Sequence, residues 1–276
     1  MILTLPSGIA VDPNNGRVFV ADSGNDHIVK FTKNGGHIKH WGSSGSNNGQ
    51  FKFPSGVAVD SSGHVFVVDT YNHRIQKFTN NGQFMKSWGG WGHGDGQFIA
   101  PFAITIHPSS GNVFVDDSNQ FRIQQFTNDG NFINKWNNVY SFGVAVDPNS
   151  GNVYRTDVNN DNIKKSTYNG VPIAVLGTPG AGNGQFNDPQ GIALDPSTAN
   201  LFVADTLNYR IQKITDNGGF IDKWGHKGTG DGRFDRPRAL ALDPKTSSVY
   251  VADYGNNRIQ KFTYDGAFIK KWMNYP

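Results

Sequence analysis

The sequence predicts an all-β protein, a six-bladed β-propeller with four antiparallel strands in each blade. Two observations carry this prediction. The phrase "VADTLNYRIQKI" at residues 203–214 recurs in six related copies, and each copy lies in a unit of four strand-like runs separated by turn residues. A long, nearly fixed period of this kind indicates a repeat architecture and not two unrelated domains.

The period is measured on one aspartate of each copy. These aspartates are spaced by 47, 48, 40, 48 and 48 residues, and nineteen residues after each comes a tryptophan or, in the fourth unit, Leu176. The spacing predicts one domain over residues 1–276, with blades at approximately 5–51, 52–98, 99–138, 139–186, 187–234 and 235–274. We expect each blade to be contiguous in sequence, while pairing of the N-terminal residues with the last blade stays open. The aspartates are Asp22, Asp69, Asp117, Asp157, Asp205 and Asp253.

The fifth unit illustrates the four strands. They read "GIALD", "LFVAD", "RIQKI" and "FIDKW", and the turn-rich segments "PSTAN", "TLNY" and "TDNGG" join them. One such sheet cannot cover its own two faces, whereas six sheets arranged radially cover one another. Continuous apolar runs such as "LFV" are typical of strands that are buried on both faces.

Composition narrows the class of protein further. The chain has 34 glycines, no cysteine and a formal net charge of +3. The lack of cysteine excludes disulfides, thiolate metal sites and cysteine nucleophiles. No apolar run is long enough to span a membrane, so we expect a soluble monomer without membrane insertion. The compartment is not defined, and an extracytoplasmic domain of a longer protein fits the composition.

A repeated ion pair is predicted at one end of the blades. Asp205 ends the second strand and Arg210 begins the third, and a guanidinium matches a carboxylate in geometry. Because the pair recurs, we interpret it mainly as a blade fastener. The turns between the second and third strands and the crossings between blades are expected on one face of the propeller, called the top face. The alternative is that these arginines, with nearby tyrosines, form a binding surface on that face. The candidates for that surface are Arg74, Arg122, Arg210, Arg258, Tyr71 and Tyr209.

The fourth copy, "RTDVNNDNIKKS", departs most from the pattern. Asn162 stands in place of the arginine, so Asp157 loses its predicted partner, and the preceding crossing is about eight residues shorter than the others. Asp116 on blade 3 and Arg155 on blade 4 replace apolar residues, and we predict an interblade ion pair between them. A ligand notch is the sharper hypothesis, and its candidate lining residues are Asp117, Arg155, Asp157 and Lys164.

The segments "GQFKFPSGVAVD" and "GQFNDPQGIALD", each followed by a "D-x-x-N-x-R-I-Q-K" phrase and a "WG" pair, resemble the NHL repeat. The resemblance covers nearly the whole chain and implies the propeller fold. It also implies several possible functions, because NHL-type propellers include protein-interaction platforms, RNA binders, sensor domains and relatives of lyases.

The predicted function is noncatalytic: a scaffold or sensor propeller that recognises a protein or peptide on its top face. One alternative is a lyase or hydrolase with an axial metal site, and a second is binding of single-stranded RNA. No catalytic residue or metal ligand is assigned, because the eight histidines do not recur at one axial position. No cofactor is predicted, although axial calcium or zinc stays open.

Overall fold

A computed structural model describes residues 1–137 and 140–275 of the chain. It contains six four-stranded antiparallel sheets, and in each sheet the strands lie side by side in chain order. The predicted six-bladed β-propeller with four antiparallel strands per blade is therefore confirmed. The predicted boundary between blades 3 and 4, at residues 138 and 139, lies outside the described residues.

The first three blades follow one another in sequence. Blade 1 contains β1 (Pro6–Val11), β2 (Val18–Asp22), β3 (His27–Phe31) and β4 (His37–Trp41). Blade 2 contains β5 (Pro54–Val59), β6 (Val65–Asp69), β7 (Arg74–Phe78) and β8 (Phe84–Gly89). Blade 3 contains β9 (Ala103–Ile106), β10 (Val113–Asp117), β11 (Arg122–Phe126) and β12 (Phe132–Asn137).

The last three blades repeat this order. Blade 4 contains β13 (Val144–Val146), β14 (Val153–Asp157), β15 (Asn162–Ser166) and β16 (Pro172–Leu176). The crossing to the next blade holds the short parallel pair β17 (Thr178–Pro179) and β18 (Gln185–Phe186). Blade 5 contains β19 (Pro189–Leu194), β20 (Leu201–Asp205), β21 (Arg210–Ile214) and β22 (Phe220–Trp224), and blade 6 contains β23 (Pro237–Asp243), β24 (Ser248–Asp253), β25 (Arg258–Thr263) and β26 (Phe268–Trp272).

The first strand of each blade lines the central axis. Its side chains make an apolar channel that includes Ile9, Val57, Ile104, Val144 and Leu240. Neighbouring inner strands approach so closely that a Cβ on Gly8 would collide with the Ser55 carbonyl oxygen. Glycine at this position therefore sets the small radius of the channel.

The outer parts of the blades are joined by a glycine and a tryptophan. The turn between the third and fourth strands of blade 2 contains Gly82, and a Cβ there would lie 2.7 Å from the Trp41 ring of blade 1. The same arrangement recurs around the ring, except that Gly218 meets Leu176 in place of a tryptophan. The predicted tryptophan period thus marks an interblade contact.

The ring closes through the two ends of the chain. The Leu3 N–H donates to the Met273 carbonyl at 2.8 Å, and the Tyr275 N–H donates to the Met1 carbonyl at 2.9 Å. Leu3 and Tyr275 are both buried. Blades 1 and 6 are each built from four consecutive strands, so the N-terminal residues complete a crossing and supply no strand to the last blade.

The helical segments of the described residues are single 3-10 turns between the second and third strands. None of the described helices has the length and apolar character needed to cross a membrane. The turns are Ser23–Asn25, Thr70–Asn72, Ser118–Gln120, Thr206–Asn208 and Tyr254–Asn256.

Candidate functional site

The repeated arginines fasten each blade to the crossing that precedes it. Arg210 Nε donates to Asp205 Oδ2 at 2.6 Å, and its terminal nitrogens donate to the carbonyls of Ala181, Gly182 and Gln185 at 2.8 to 2.9 Å. Gln212 Nε2 joins the same network by donating to Asp205 Oδ2 at 2.9 Å. One side chain therefore ties two strands and a loop together.

The same network occurs in three more blades. The four arginine side chains, Arg74, Arg122, Arg210 and Arg258, are between 3% and 15% exposed. Their donors are occupied by carboxylates and backbone carbonyls, so little of each guanidinium faces a partner. Of the predicted tyrosines, Tyr71 is exposed, and Tyr209 lies 5.1 Å from the ammonium group of Lys227.

Blade 4 departs from this network in its sequence, both at the arginine position and in the preceding crossing. The short crossing has no counterpart of the "GQF" turn that supplies them elsewhere, and Asn162 replaces the arginine. Lys164 Nζ lies 3.4 Å from Asp157 Oδ2. The expectation that Asp157 has no cationic partner is therefore wrong, because the lysine two residues further along β15 provides one.

Asp116 and Arg155 face each other across the interface of blades 3 and 4. Burial raises the pKa of Asp116 well above its ordinary value, and a 3.1 Å hydrogen bond from the Ser118 hydroxyl and the charge of Arg155 only partly oppose this. No ion pair within 4 Å joins the two side chains, so the predicted contact pair is wrong. Arg155 instead lines a cavity beside Lys164, where its charge still acts on Asp116 from beyond contact distance.

The mouth of the axial channel is formed by the residue just before the glycine or alanine of each inner strand. Blades 1 and 2 have buried serines there, whereas the other four blades have larger side chains. The six residues are Ser7, Ser55, Phe102, Phe142, Gln190 and Arg238. The mouth is thus the place where the six repeats differ most in chemistry.

Arg238 occupies this mouth in an aromatic cage. Its Cζ lies 4.5 Å from the Phe102 ring centroid and 4.6 Å from that of Tyr254, and its Nε donates to Gln190 Oε1 at 3.0 Å. Phe102 belongs to blade 3, opposite blade 6, so the guanidinium reaches across the axis. Burial lowers the pKa of Arg238, and Tyr254 and Asp188 oppose this. A caged guanidinium of this kind suits an anionic or polarised ligand group.

Asp188 lies beside the cage. Gln190 Nε2 donates to Asp188 Oδ2 at 2.8 Å, so Gln190 bonds to both charged groups. Burial raises the pKa of Asp188, while the Gln190 hydrogen bond and the charge of Arg238 lower it. A cavity of about 330 Å³ holds these groups, and its lining residues are Asp188, Gln190, Thr206, Leu207, Arg236, Arg238 and Tyr254.

A second cavity of about 390 Å³ adjoins the first on the top face and shares Arg238 and Tyr254 with it. Its remaining wall is largely aromatic, with Phe53, Tyr71 and Phe102 among its residues. The two cavities together form the candidate site, which combines a carboxyl group, a guanidinium and several aromatic rings.

Of the candidate residues predicted from the sequence, Tyr71 lines one of these two cavities, whereas Asp188, Gln190 and Arg238 were not predicted. Two departures from the repeat pattern nevertheless indicate this site. Tyr254 stands where other copies have small hydroxyl residues such as Thr70 and Thr206, and Arg238 stands where two copies have serine. The residues predicted from the sequence were mainly the arginines that recur and their neighbours. In a repeat protein, recurrence marks structure, and the large departures at equivalent positions mark the site.

The axial residues do not fit a metal ion. Among residues 1–137 and 140–275, no three His, Asp or Glu side chains come together as metal ligands, and nearly all the side chains that line the channel are apolar. His107, which stands where the other copies have an aspartate after the first strand, accepts a hydrogen bond from the Ser110 N–H at 3.2 Å and packs edge-on against Tyr168. Its contacts are those of a turn residue.

The fold and the mouth define a six-bladed propeller with a polar site at one end of its axis. The family model described as the NHL repeat matches residues 3–31, 51–78 and 234–262. These three matches lie in blades 1, 2 and 6 and are consistent with an NHL-repeat β-propeller, as the sequence motifs indicate. No curated protein matches the sequence.

Solved structures of similar fold include enzymes. Virginiamycin B lyase from Staphylococcus aureus is 19% identical with a TM-score of 0.67, and the match covers 99% of this chain and 86% of that chain. A streptogramin B lyase is 19% identical with a TM-score of 0.69, covering 100% and 85%. A gluconolactonase from Xanthomonas campestris is 12% identical with a TM-score of 0.70, covering 92% and 85%. At these identities the similarity shows the fold.

Proposed function

We propose that the protein is an enzyme of the lyase or hydrolase type that acts on a small substrate at the mouth of the axial channel. The observation that carries the proposal is the presence of Asp188 and Arg238 in one cavity, joined through Gln190. The similarity to lyases and to a gluconolactonase supports this alternative more than the noncatalytic interpretation.

The two charged residues have complementary roles in such a reaction. Arg238 would hold a substrate carboxylate or polarise an ester carbonyl, and developing negative charge on that oxygen would strengthen the contact. Asp188 would act as the base.

In an elimination Asp188 would take a proton from the carbon next to the ester C–O bond, which breaks to give a C=C bond and a free carboxylate. In a hydrolysis it would take a proton from water as the oxygen adds to the carbonyl, and it would return that proton to the alcohol oxygen as the ester bond breaks. The raised pKa of Asp188 makes it a stronger base than an exposed aspartate. Gln190 would fix the distance between Asp188 and Arg238.

The first test measures turnover of two cyclic esters suggested by the structural neighbours, virginiamycin B and gluconolactone. Ring opening is followed by ultraviolet absorbance for the first and by acid release for the second. We expect Asp188→Asn to lower kcat/KM by about 100-fold or more, because it removes the base. Arg238→Met should also lower kcat/KM, through loss of the cation.

The control is Arg233→Gln. Arg233 is an exposed arginine of the same crossing that does not line the cavity. It should leave turnover unchanged. Turnover that is equal in wild type, Asp188→Asn and Arg238→Met would exclude the mouth as the active site.

Noncatalytic peptide binding on the top face is the second candidate. Exposed Tyr71, Trp91 and Phe121 lie in turns and crossings near the mouth, and aromatic side chains are frequent in binding hot spots. In this case Arg238 would bind a peptide carboxylate without turnover. Binding of a peptide array that weakens in Arg238→Met, together with an absence of turnover for any ester, would favour it.

A further inference from the structure

A third cavity lies away from the mouth, between blades 3 and 4. It has a volume of about 570 Å³, larger than either cavity at the mouth. Its walls combine cationic and apolar side chains, and the lining includes Trp136, Arg155, Lys164, Ser166, Ile173 and Val175. None of these residues contributes to the proposed reaction.

The cavity exists because two phenyl rings are missing. Between blades 1 and 2, Phe51 of the crossing packs against Phe78 of the third strand with ring centroids 5.6 Å apart. The interfaces of blades 2 and 3 and of blades 5 and 6 contain the same pair. At blade 4 the third-strand position is Ser166, and the shortened crossing has no "GQF" phenylalanine. The apolar cluster of this interface accordingly contains neither ring.

A buried cation faces the space that these rings leave. Arg155 is only 5% exposed, and its Nε is buried with no hydrogen-bond partner among the described residues. The Asp116 Oδ1 across the interface also has none, and the two side chains form no contact pair. Lys164 is paired with Asp157, so Arg155 is the cation that lacks a close anion. Leaving such a donor unpaired is costly, and an anionic group from outside would satisfy it.

The remaining walls are suited to an aromatic body. Trp136 forms one side, and Ile173 and Val175 of β16 form an exposed apolar rim. The corresponding outer strands of blades 3, 5 and 6 have a lysine at the position of Val175. Apolar surface at the edge of a cavity marks a ligand entrance more often than a solvated face.

We propose that the cavity between blades 3 and 4 binds a small aromatic carboxylate. The aromatic ring takes the place of the missing phenyl groups against Trp136, and the carboxylate accepts hydrogen bonds from Arg155. The site is separate from the mouth and does not depend on the function proposed there.

Calorimetric titration with 2-naphthoate tests the proposal, with 2-naphthamide as the neutral match and inorganic phosphate as the anion without a ring. We expect saturable binding of 2-naphthoate. The amide and phosphate should each bind at least about tenfold more weakly, because the amide lacks the negative charge and phosphate lacks the aromatic ring. In NMR spectra, the indole N–H resonance of Trp136 should shift when the protein is saturated with 2-naphthoate and not with the other two probes. Equal affinity for the amide, or no saturation up to about 10 mM naphthoate, would overturn the proposal.

Three variants locate the binding. Arg155→Met removes the cation while keeping an apolar side chain of similar length, and Ser166→Phe restores the ring found in blades 1, 2, 3 and 6. Each should weaken naphthoate binding by about tenfold or more, and neither should prevent folding, since one removes a buried charge and the other restores the repeat pattern. Arg233→Gln, at an exposed arginine that lines none of the three cavities, should leave it unchanged. Binding that survives both cavity variants, or that is lost only in Arg233→Gln, would place the ligand elsewhere and contradict the proposal.

Discussion

The hydroxyl of Tyr275 donates a hydrogen bond of 2.7 Å to the carboxylate of Asp22, at the other end of the chain. In four other blades the equivalent aspartate is held by an arginine, as Arg210 holds Asp205. Blade 1 has His27 at the arginine position, and the tyrosine takes over the role. The first and last blades are thus joined by a version of the fastener that the other blades use.

We expect Tyr275→Phe to lower the free energy of unfolding by about 1 to 2 kcal/mol, because the buried Asp22 loses a donor. Urea unfolding followed by tryptophan fluorescence measures this difference. Tyr264→Phe is the matched control, since the Tyr264 hydroxyl is buried with no hydrogen-bond partner among the described residues. Its removal should be neutral or slightly stabilising. Equal losses in both variants would show that the Tyr275 hydroxyl has no fastening role.

Loss of a repeated arginine should lower the free energy of unfolding more than loss of the Tyr275 hydroxyl. We expect Arg210→Ala to lower the free energy of unfolding by about 3 kcal/mol, because it leaves the buried Asp205 carboxylate without its cation. Arg233→Ala, an exposed site, should change it by less than about 0.5 kcal/mol. Urea titration of both variants provides the comparison. A loss below about 1 kcal/mol in Arg210→Ala would contradict the fastener role.

The fastener should also depend on its crossing. Asn162→Arg introduces the repeat arginine into blade 4, where the short crossing lacks the carbonyls that bind it elsewhere. We therefore expect no gain in the free energy of unfolding from this substitution, measured by the same titration. A gain of about 1 kcal/mol or more would mean that Asp157 alone suffices as the partner.

The contact between a turn glycine and a tryptophan can be tested by a pair of substitutions. Gly82 and Gly218 both have positive φ, 79° and 91°, so alanine is strained at both positions. A Cβ at Gly82 would lie 2.7 Å from Trp41, whereas one at Gly218 would lie 3.3 Å from Leu176. Gly82→Ala should therefore lower the free energy of unfolding by about 1 to 2 kcal/mol more than Gly218→Ala. Equal losses in urea titrations would assign the whole cost to backbone strain.

Ring closure should weaken in mild acid. The pKa of His27, whose Nδ1 lies 3.3 Å from the Tyr275 hydroxyl, is lowered by burial and by His40, against the opposing charges of Asp22 and Asp26. The folded state thus favours neutral His27, and this stability is present above the ordinary histidine pKa and lost as the pH falls towards the lowered value. Relative to His27→Gln, wild type should lose unfolding free energy below about pH 6.5.

Urea titrations at several pH values measure that difference. His226→Gln, a change at an exposed crossing residue, is the control and should leave the pH dependence of wild type intact. A pH profile of His27→Gln that parallels wild type would remove His27 from the explanation.

The architecture could be predicted from the sequence because each blade repeats the same pattern of strands and turns. The spacing from Asp205 to Trp224 and the recurrence of the Asp205 and Arg210 pair predicted the strand order and the structural role of the pair. The mouth was not predictable in this way. Phe102, Arg238 and Tyr254 meet only because blades 3 and 6 lie opposite each other, and a linear period contains no information on which side chains cross the axis.

The Asp116 and Arg155 prediction shows a second limit. Strand alternation placed the two side chains on facing surfaces. It did not show where along the interface a long arginine would lie, which depends on the space left by Ser166 and by the short crossing. The position of a flexible cation follows from packing, and packing between blades is set by residues far apart in the sequence.

The interface of blades 3 and 4 has a mechanical consequence for the whole ring. It lacks the paired phenyl rings and the arginine fastener, and β13 is the shortest of the inner strands, with only Val144–Val146. Because these contacts are missing, we expect local opening of the ring to occur first at this interface. Backbone amides of β13 should therefore exchange with solvent sooner than those of β19. The propeller therefore has a built-in seam, and a molecule seated in that seam would stiffen the entire circumference.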